Sequence, residues 1–268
     1  MHFTKMHGLG NDFVVLVPAQ TGDHDWPALA RQMCDRHFGV GSDGLILVLP
    51  SATADFRMRM FNPDGSEAEM CGNGIRCFGK YVWDNGFWAA PELTVDTLAG
   101  LQHLRLHVAD RHVDSVEVNM GVPVVSPNNE RLIINVSDQT LSLTQVSMGN
   151  PHAVGFLDIA VDTYPLQTIG PLVERHPAFP HRTNYEIVNV LNRDEIRVRV
   201  WERGAGITLA CGTGACAAAV ASRVRGLTND SVFVHLPGGD LRISWPGPGQ
   251  PVIMTGPATT VFTGDWLL

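Results

Sequence analysis

RMRMFNPDGSEAEMCGNG, residues Arg57–Gly74, recurs 140 positions later as RVRVWERGAGITLACGTG, Arg197–Gly214, without a gap. Arginines 57/197 and 59/199, cysteines 71/211 and glycines 72/212 and 74/214 are identical, and Met58/Val198, Met60/Val200 and Phe61/Trp201 are conservative. A second echo lies upstream, where Gly10-Asn11 and Gly149-Asn150 stand 139 positions apart. Two matches at nearly one offset point to duplicated halves. In each half arginine alternates with a large apolar residue, the period-two pattern of a half-buried strand. A turn-like segment follows, then Cys-Gly-x-Gly, then a helical stretch. Ile75–Trp83 closes at Asn85-Gly86, and Ala215–Val224 closes near Gly226. The second, beginning ACAAAVAS, is small and apolar all round, as a buried helix is.

Around this pair the chain reads mostly as short strands: 13–17, 45–49, 93–97, 101–108, 113–118, 144–148, 185–191, 231–235, 241–245 and 252–255. Further helices are expected at Pro27–Arg36, capped by Asp25, and at Leu166–Glu174. The turn-rich stretch Gly121–Asn129 reads as a linker. The expectation is an α/β (α+β) fold of two pseudo-symmetric domains, 1–120 and 121–268, with the last strand free to pack back on the first half. Each domain is a curved, mostly antiparallel sheet wrapped round a central helix, with the active site in the cleft between them.

Composition removes several function classes. With 19 Lys+Arg against 27 Asp+Glu the net charge is −8, and no basic run offers a footprint for nucleic acid or anionic lipid. The start lacks a signal peptide and no window is long and apolar enough to span a bilayer, so a cytoplasmic protein without membrane contact is expected. Only Lys5 and Lys80 could form a pyridoxal Schiff base. Five cysteines, an odd number, argue against a disulfide framework. The spacings Cys71-x5-Cys77 and Cys211-x4-Cys216 do not suit zinc, so no metal is expected, and Cys77 and Cys216 read as packed inside their helices. Neither a P-loop nor a clean dinucleotide-binding glycine motif is present.

The two Cys-Gly-x-Gly helix starts carry the chemistry. First-turn amides lack internal acceptors and sit at the positive end of the dipole, so they suit a carboxylate. A cysteine there is expected to have its thiolate favoured, with a pKa lowered from about 8.5 into a range of roughly 3.5 to 7.5. Two such sulfurs, one from each half, suit proton removal from a carbon α to a carboxylate and proton return to its opposite face. Inert small residues at two helix starts are the bland alternative, and matched cysteines at matched positions weaken it.

Met6-His-Gly-Leu-Gly-Asn-Asp-Phe13, Asn62-Pro-Asp-Gly-Ser-Glu67, Met70-Cys-Gly-Asn-Gly-Ile-Arg76, Gly149-Asn-Pro-His152, Arg182-Thr-Asn184 and Trp201-Glu-Arg-Gly204, with Ala210-Cys-Gly-Thr-Gly-Ala-Cys216, closely resemble the diaminopimelate epimerase family. The resemblance implies a cofactor-free isomerase that interconverts LL- and meso-2,6-diaminopimelate in lysine and peptidoglycan-precursor synthesis, commonly as a homodimer. It implies that Cys71 and Cys211 are the acid/base pair, with His152 and Glu202 orienting the reacting amine. It also implies that Gly72-Asn73 and Gly212-Thr213 hold the reacting carboxylate, while Asn11, Asn62, Asn150, Asn184, Glu202 and Arg203 bind substrate. Gly44 stands where some family members carry a glutamine contact. The scaffold also resembles proline racemase and hydroxyproline epimerase, an alternative with the same two cysteines. A non-catalytic small-ligand binder would keep the anion clamp without needing the thiols.

Overall fold

A computed structural model describes residues 1–18, 24–126 and 131–267. The chain forms two compact units, Met1–Val118 with Gly256–Leu268, and Asn119–Thr255.

In the first unit β1 (His2–Gly8) and β2 (Asn11–Leu16) form a hairpin turned at Leu9 and Gly10, both at positive φ. Helix α1 (Trp26–Cys34) then crosses over to β3 (Gly44–Leu49), which pairs parallel with β2. Asp25 caps α1 by accepting from the Ala28 amide at 3.0 Å, as its sequence position predicts. Strand β4 (Phe56–Phe61) runs antiparallel to β3 and is followed by the short β5 (Glu67–Ala68). Helix α2 (Gly72–Asp84) leads to β6 (Glu92–Thr97), parallel to β4, and then to the meander of β7 (Gly100–Ala109) and β8 (His112–Asn119).

The second unit opens with β9 (Val124–Val125), β10 (Arg131–Val136) and β11 (Gln139–Ser147). It then repeats the order of the first. Strand β12 (Pro151–Phe156) pairs with β11 and crosses through α3 (Leu166–Glu174) to β13 (Asn184–Asn192), parallel to β12. Next come the antiparallel β14 (Glu195–Glu202), the short β15 (Gly206–Ile207), and α4 (Gly212–Val224). Strand β16 (Ser231–Leu236) returns parallel to β14, followed by β17 (Gly239–Ser244) and β18 (Ile253–Gly256). The final strand β19 (Thr259–Asp265) pairs with β1, so the C-terminal segment belongs to the first unit.

The architecture is thus mixed α/β, with strands mostly antiparallel and only four helices of more than one turn among the described residues. Of the linker expected at 121–129, residues 127–129 lie outside the described residues and 124–125 form β9.

Parallel crossovers place a helix on a sheet face, which explains the all-apolar run of β3: Gly44–Val48 are buried throughout. One core of the first unit sets Leu29, Ala30 and Met33 of α1 against Val14, Leu16, Leu45 and Leu47. In the second unit Leu166, Ile169 and Val173 of α3 pack on Leu141, Leu143, Tyr185 and Ile187. Helix α4 buries Ala215 through Ala221 almost completely, so its alanines let the backbone sit close to the strands around it. No helix among the described residues is long and apolar enough to cross a membrane.

Candidate active site

Each cysteine of the repeated motif is the N-cap of its unit's buried helix. Cys71 and Cys211 adopt extended backbone angles, φ −135° and −116°, and the helices begin at Gly72 and Gly212. The fourth-residue amides, of Ile75 and Ala215, bond back to the carbonyls of Cys71 and Cys211. The first-turn amides are therefore presented as the repeat predicts. Cys77 and Cys216 are fully buried on the same helices, as expected from the sequence, and burial pushes the Cys77 thiol up to about 12.

In the first unit Cys71 is half-buried and its Sγ lies 3.6 Å from Oδ1 of Asn11, which also accepts from Nδ2 of Asn73 at 3.1 Å. Asn11 is held from behind, donating from Nδ2 to Oδ2 of Asp43 at 2.7 Å. Arg36 bridges Oδ1 of Asp12 at 2.8 Å and Oδ1 of Asp43 at 2.7 Å, and buried Lys5 lies 2.5 Å from Asp12 Oδ2. Burial would raise the Asp12 carboxyl, but hydrogen bonds from Arg36 and Lys5 outweigh it and hold its pKa at about 2. Fully buried Arg76 reaches back to Gly72 O and Asn73 Oδ1, both at 3.0 Å, fixing the first turn of α2. Asn62 sits in a tight turn closed by its bonds to Ser66. A Cβ on Gly44 would approach Phe61 O to 3.0 Å and Met60 Cε to 3.1 Å, so the position has little room for a side chain.

In the second unit the environment is more polar and more deeply buried. Cys211 is 6% exposed; its Sγ accepts from the Gly214 amide at 3.4 Å and lies 3.5 Å from Thr213 Oγ1. Asn150 donates to Thr213 Oγ1 at 3.3 Å, and its Oδ1 lies 3.0 Å from His152 Nε2. The other ring nitrogen, Nδ1, lies 2.7 Å from Glu186 Oε1. Asn184 ties the start of β12 to the segment after β14, donating to Pro151 O and accepting from the Arg203 amide, both at 2.9 Å. Glu202 accepts from the Thr208 hydroxyl, and Arg203 is exposed, with one guanidinium N–H on His181 O at 3.1 Å.

The expected lowering of the thiol pKa fails at Cys211. Burial, followed by the negative charges of Glu202 and Glu186, pushes its pKa well up, outweighing the bonds from Thr213 and Gly214. The helix dipole favours a thiolate, but here burial and the charges of two carboxylates oppose it and win.

Two buried carboxylates escaped the sequence reading. Glu174 is 2% exposed and accepts from Trp201 Nε1 at 2.7 Å and from the Gly204 amide at 3.2 Å, fastening the Trp201–Gly204 loop. Glu186 is completely buried beside His152. Its signal was a lone acid inside the apolar strand Tyr185–Val188. Among the described residues no group of three or more His, Cys, Asp or Glu side chains could hold a metal ion.

The diaminopimelate epimerase family profile matches residues 3–126 and 144–261. The chain is 54% identical to diaminopimelate epimerase of Moorella thermoacetica over 280 aligned positions, covering 100% of both chains. It is 46% identical to that of Methanococcus maripaludis strain S2, covering 99% of each. Among solved structures it is similar in fold to a hydroxyproline epimerase from Agrobacterium vitis (TM-score 0.71, 19% identity, covering 98% of this chain and 91% of that one). It is similar also to a phenazine biosynthesis protein from Bacillus anthracis (TM-score 0.74, 16% identity, covering 100% and 99%). At those identities the structures speak for the fold alone, whereas the sequence matches are specific: the chain belongs to the diaminopimelate epimerase family.

Proposed function

We propose that the protein is an isomerase interconverting LL- and meso-2,6-diaminopimelate without a cofactor, in lysine and peptidoglycan-precursor synthesis. The observation that carries this reading is the placement of one thiol at the N-cap of each unit's buried helix, within a chain that matches this family end to end. Inversion at a carbon requires a base on one face and an acid on the other. One thiolate takes the α-proton, and the electron pair left behind spreads into the adjacent carboxylate. The second thiol gives its own proton to the opposite face, so the two sulfurs end with their protonation states exchanged. Amides at the starts of α2 and α4, with Asn73 and Thr213, stabilise the developing charge. Such proton transfers contribute roughly 10²–10⁴-fold each.

Within this mechanism Cys211 is the resting acid, because burial and two carboxylates keep its proton in place. His152 and Glu202 orient the reacting ammonium group. Arg203, exposed and carrying a fork of donors, suits the distal carboxylate. Asn11, Asn62, Asn150 and Asn184 supply the remaining polar contacts. The working form is a homodimer, read from the family resemblance, and the setting is cytoplasmic.

The test is direct. Pure protein incubated with LL-diaminopimelate and a chelator, without pyridoxal phosphate, is expected to yield the meso form on chiral chromatography and to leave L-proline untouched. Turnover of proline instead, or dependence on an added cofactor, overturns the reading.

A further inference from the structure

The two units are built to one plan, but the plan is broken beside one cysteine. In the first unit Phe13 pairs with Gly44 and Val15 with Ile46; in the second, His152 pairs with Asn184 and Val154 with Glu186. His152 therefore occupies the place of Phe13, and Glu186 that of Ile46. The helix glycines report the same correspondence. A Cβ on Gly74 would meet Ile46 Cδ1 at 3.1 Å, and one on Gly214 would meet Glu186 Oε1 at 2.8 Å. The fold is satisfied in one half by two apolar side chains, Phe13 and Ile46, each 0% exposed. In the other half it carries a histidine and a carboxylate at 1% and 0% exposure, and the Glu186 Oε2 atom has no hydrogen bond. Burying such a pair with an oxygen left over is unfavourable, and apolar replacement is commonly neutral or better. Stability therefore does not account for it.

We propose that Glu186 is a positioning residue for the reaction: through His152 and Asn150 it sets the hydrogen-bond chain that ends on Thr213 and the Cys211 thiol. This rests on the epimerase reading above. The chain is continuous, at 2.7 Å (Glu186 Oε1 to His152 Nδ1), 3.0 Å (His152 Nε2 to Asn150 Oδ1), 3.3 Å (Asn150 Nδ2 to Thr213 Oγ1) and 3.5 Å (Thr213 Oγ1 to Cys211 Sγ). Asn150 Oδ1 can only accept, so Nε2 carries a proton. A second proton lies between Nδ1 and Oε1, which leaves the buried pair neutral overall. When negative charge forms on Cys211 or on the substrate, that shared proton moves further onto Nδ1, with no proton entering or leaving the pair. The imidazole then becomes positive on the side facing Asn150, and the carboxylate keeps the balancing charge behind it. Phe13 and Ile46 offer no such response, so the two thiols are supported by different means.

Glu186→Gln tests this, because glutamine keeps the shape and can bond to Nδ1 but cannot surrender or take up the shared proton. With LL-diaminopimelate, kcat is expected to fall by about 10–100-fold with KM within about twofold, and the melting temperature to stay close to the parent's. In the parent protein, NMR with ¹⁵N-labelled histidine should show a strongly downfield proton attached to His152 Nδ1. Glu186→Gln should abolish it. A kcat within about twofold of the parent, or no downfield proton in the parent, overturns the proposal; the second criterion holds even if the variant does not fold. A parent protein that binds diaminopimelate but never converts it would instead refute the epimerase reading.

Discussion

Glu186 Oε1 lies 2.8 Å from the point where a Cβ on Gly214 would be, so residue 214 has room for no more than hydrogen. The same Cβ would press on Cys211 Cβ and Sγ at 3.2 and 3.3 Å. Alanine ordinarily strengthens a helix interior by about 0.5–1 kcal/mol over glycine. At this position the overpacking wins, because Glu186 is anchored to His152 and cannot withdraw without giving up that bond. Gly214→Ala is expected to destabilise the protein by roughly 1–3 kcal/mol. It should also lower kcat more than tenfold, in chemical denaturation and turnover assays respectively. Gly74→Ala meets the flexible end of Ile46 at 3.1 Å and, at 3.5 Å, only ordinary contacts with Cys71 Cβ and Met60 Sδ, and its cost should be smaller.

The thiols should separate by reactivity. Cys71 is half-buried, while Cys34, Cys77, Cys211 and Cys216 are buried. Burial raises the thiol pKa of Cys34 and Cys77, and burial with two carboxylates raises that of Cys211. A thiolate is the species that alkylates. Iodoacetamide at neutral pH should therefore modify Cys71 first, with activity falling in step, as peptide mass spectrometry would show. Earlier labelling of Cys211 would contradict the burial argument.

The acid limb of stability should carry the signature of Asp12. Its folded pKa of about 2 lies below the ordinary 3.8, so its contribution is present above about pH 4 and is lost as the pH falls through 2. Asp12→Asn leaves buried Lys5 without its carboxylate and should cost roughly 2–4 kcal/mol at pH 7. Urea melts of parent and variant should converge as the pH falls below 2, where the parent's carboxyl is also protonated.

Glu174→Ala removes the acceptor of Trp201 Nε1 and of the Gly204 amide together. A loss of roughly 2–4 kcal/mol is expected from two unpaired donors and a small cavity. Arg203 lies on the loop that loosens, so KM should rise more than kcat falls, measurable by steady-state kinetics on the folded fraction.

The sequence made much of this visible, for identifiable reasons. Strands β3, β4, β6 and β14 and all four helices announce themselves by apolar periodicity, by Asp25 at a cap, and by Cys-Gly-x-Gly at two helix starts. Leu166–Glu174 appears with the predicted ends. Strands β1, β10, β12 and β19, and the two-residue β5, β9 and β15, do not show in the sequence pattern. Strand β1 hides behind its polar HFTKMHG, whose Lys5 is neutralised in an ion network only the fold assembles. Strand β12 begins with Pro151, and β19 is exposed on nearly every residue, so neither shows a clean alternation. At the site, asparagines 11, 73, 150 and 184 were legible as motif positions. What they bond to was not, because Asp43, Glu174 and Glu186 reach them or their neighbours from distant strands, loops and helices. The proton affinity of Cys211 departs from its sequence expectation for the same reason: the helix start is local, and the carboxylates that oppose it are not.

Two thiols serving as separate acid and base are the core of the proposed mechanism, and deuterium oxide reads this most directly. LL-diaminopimelate and pure protein, followed by NMR and mass spectrometry through the first few turnovers, should give meso product carrying one solvent deuterium at the inverted carbon. The remaining LL substrate should stay unlabelled. Meso product formed without deuterium, or label entering recovered substrate as fast as product, would contradict the two-thiol mechanism.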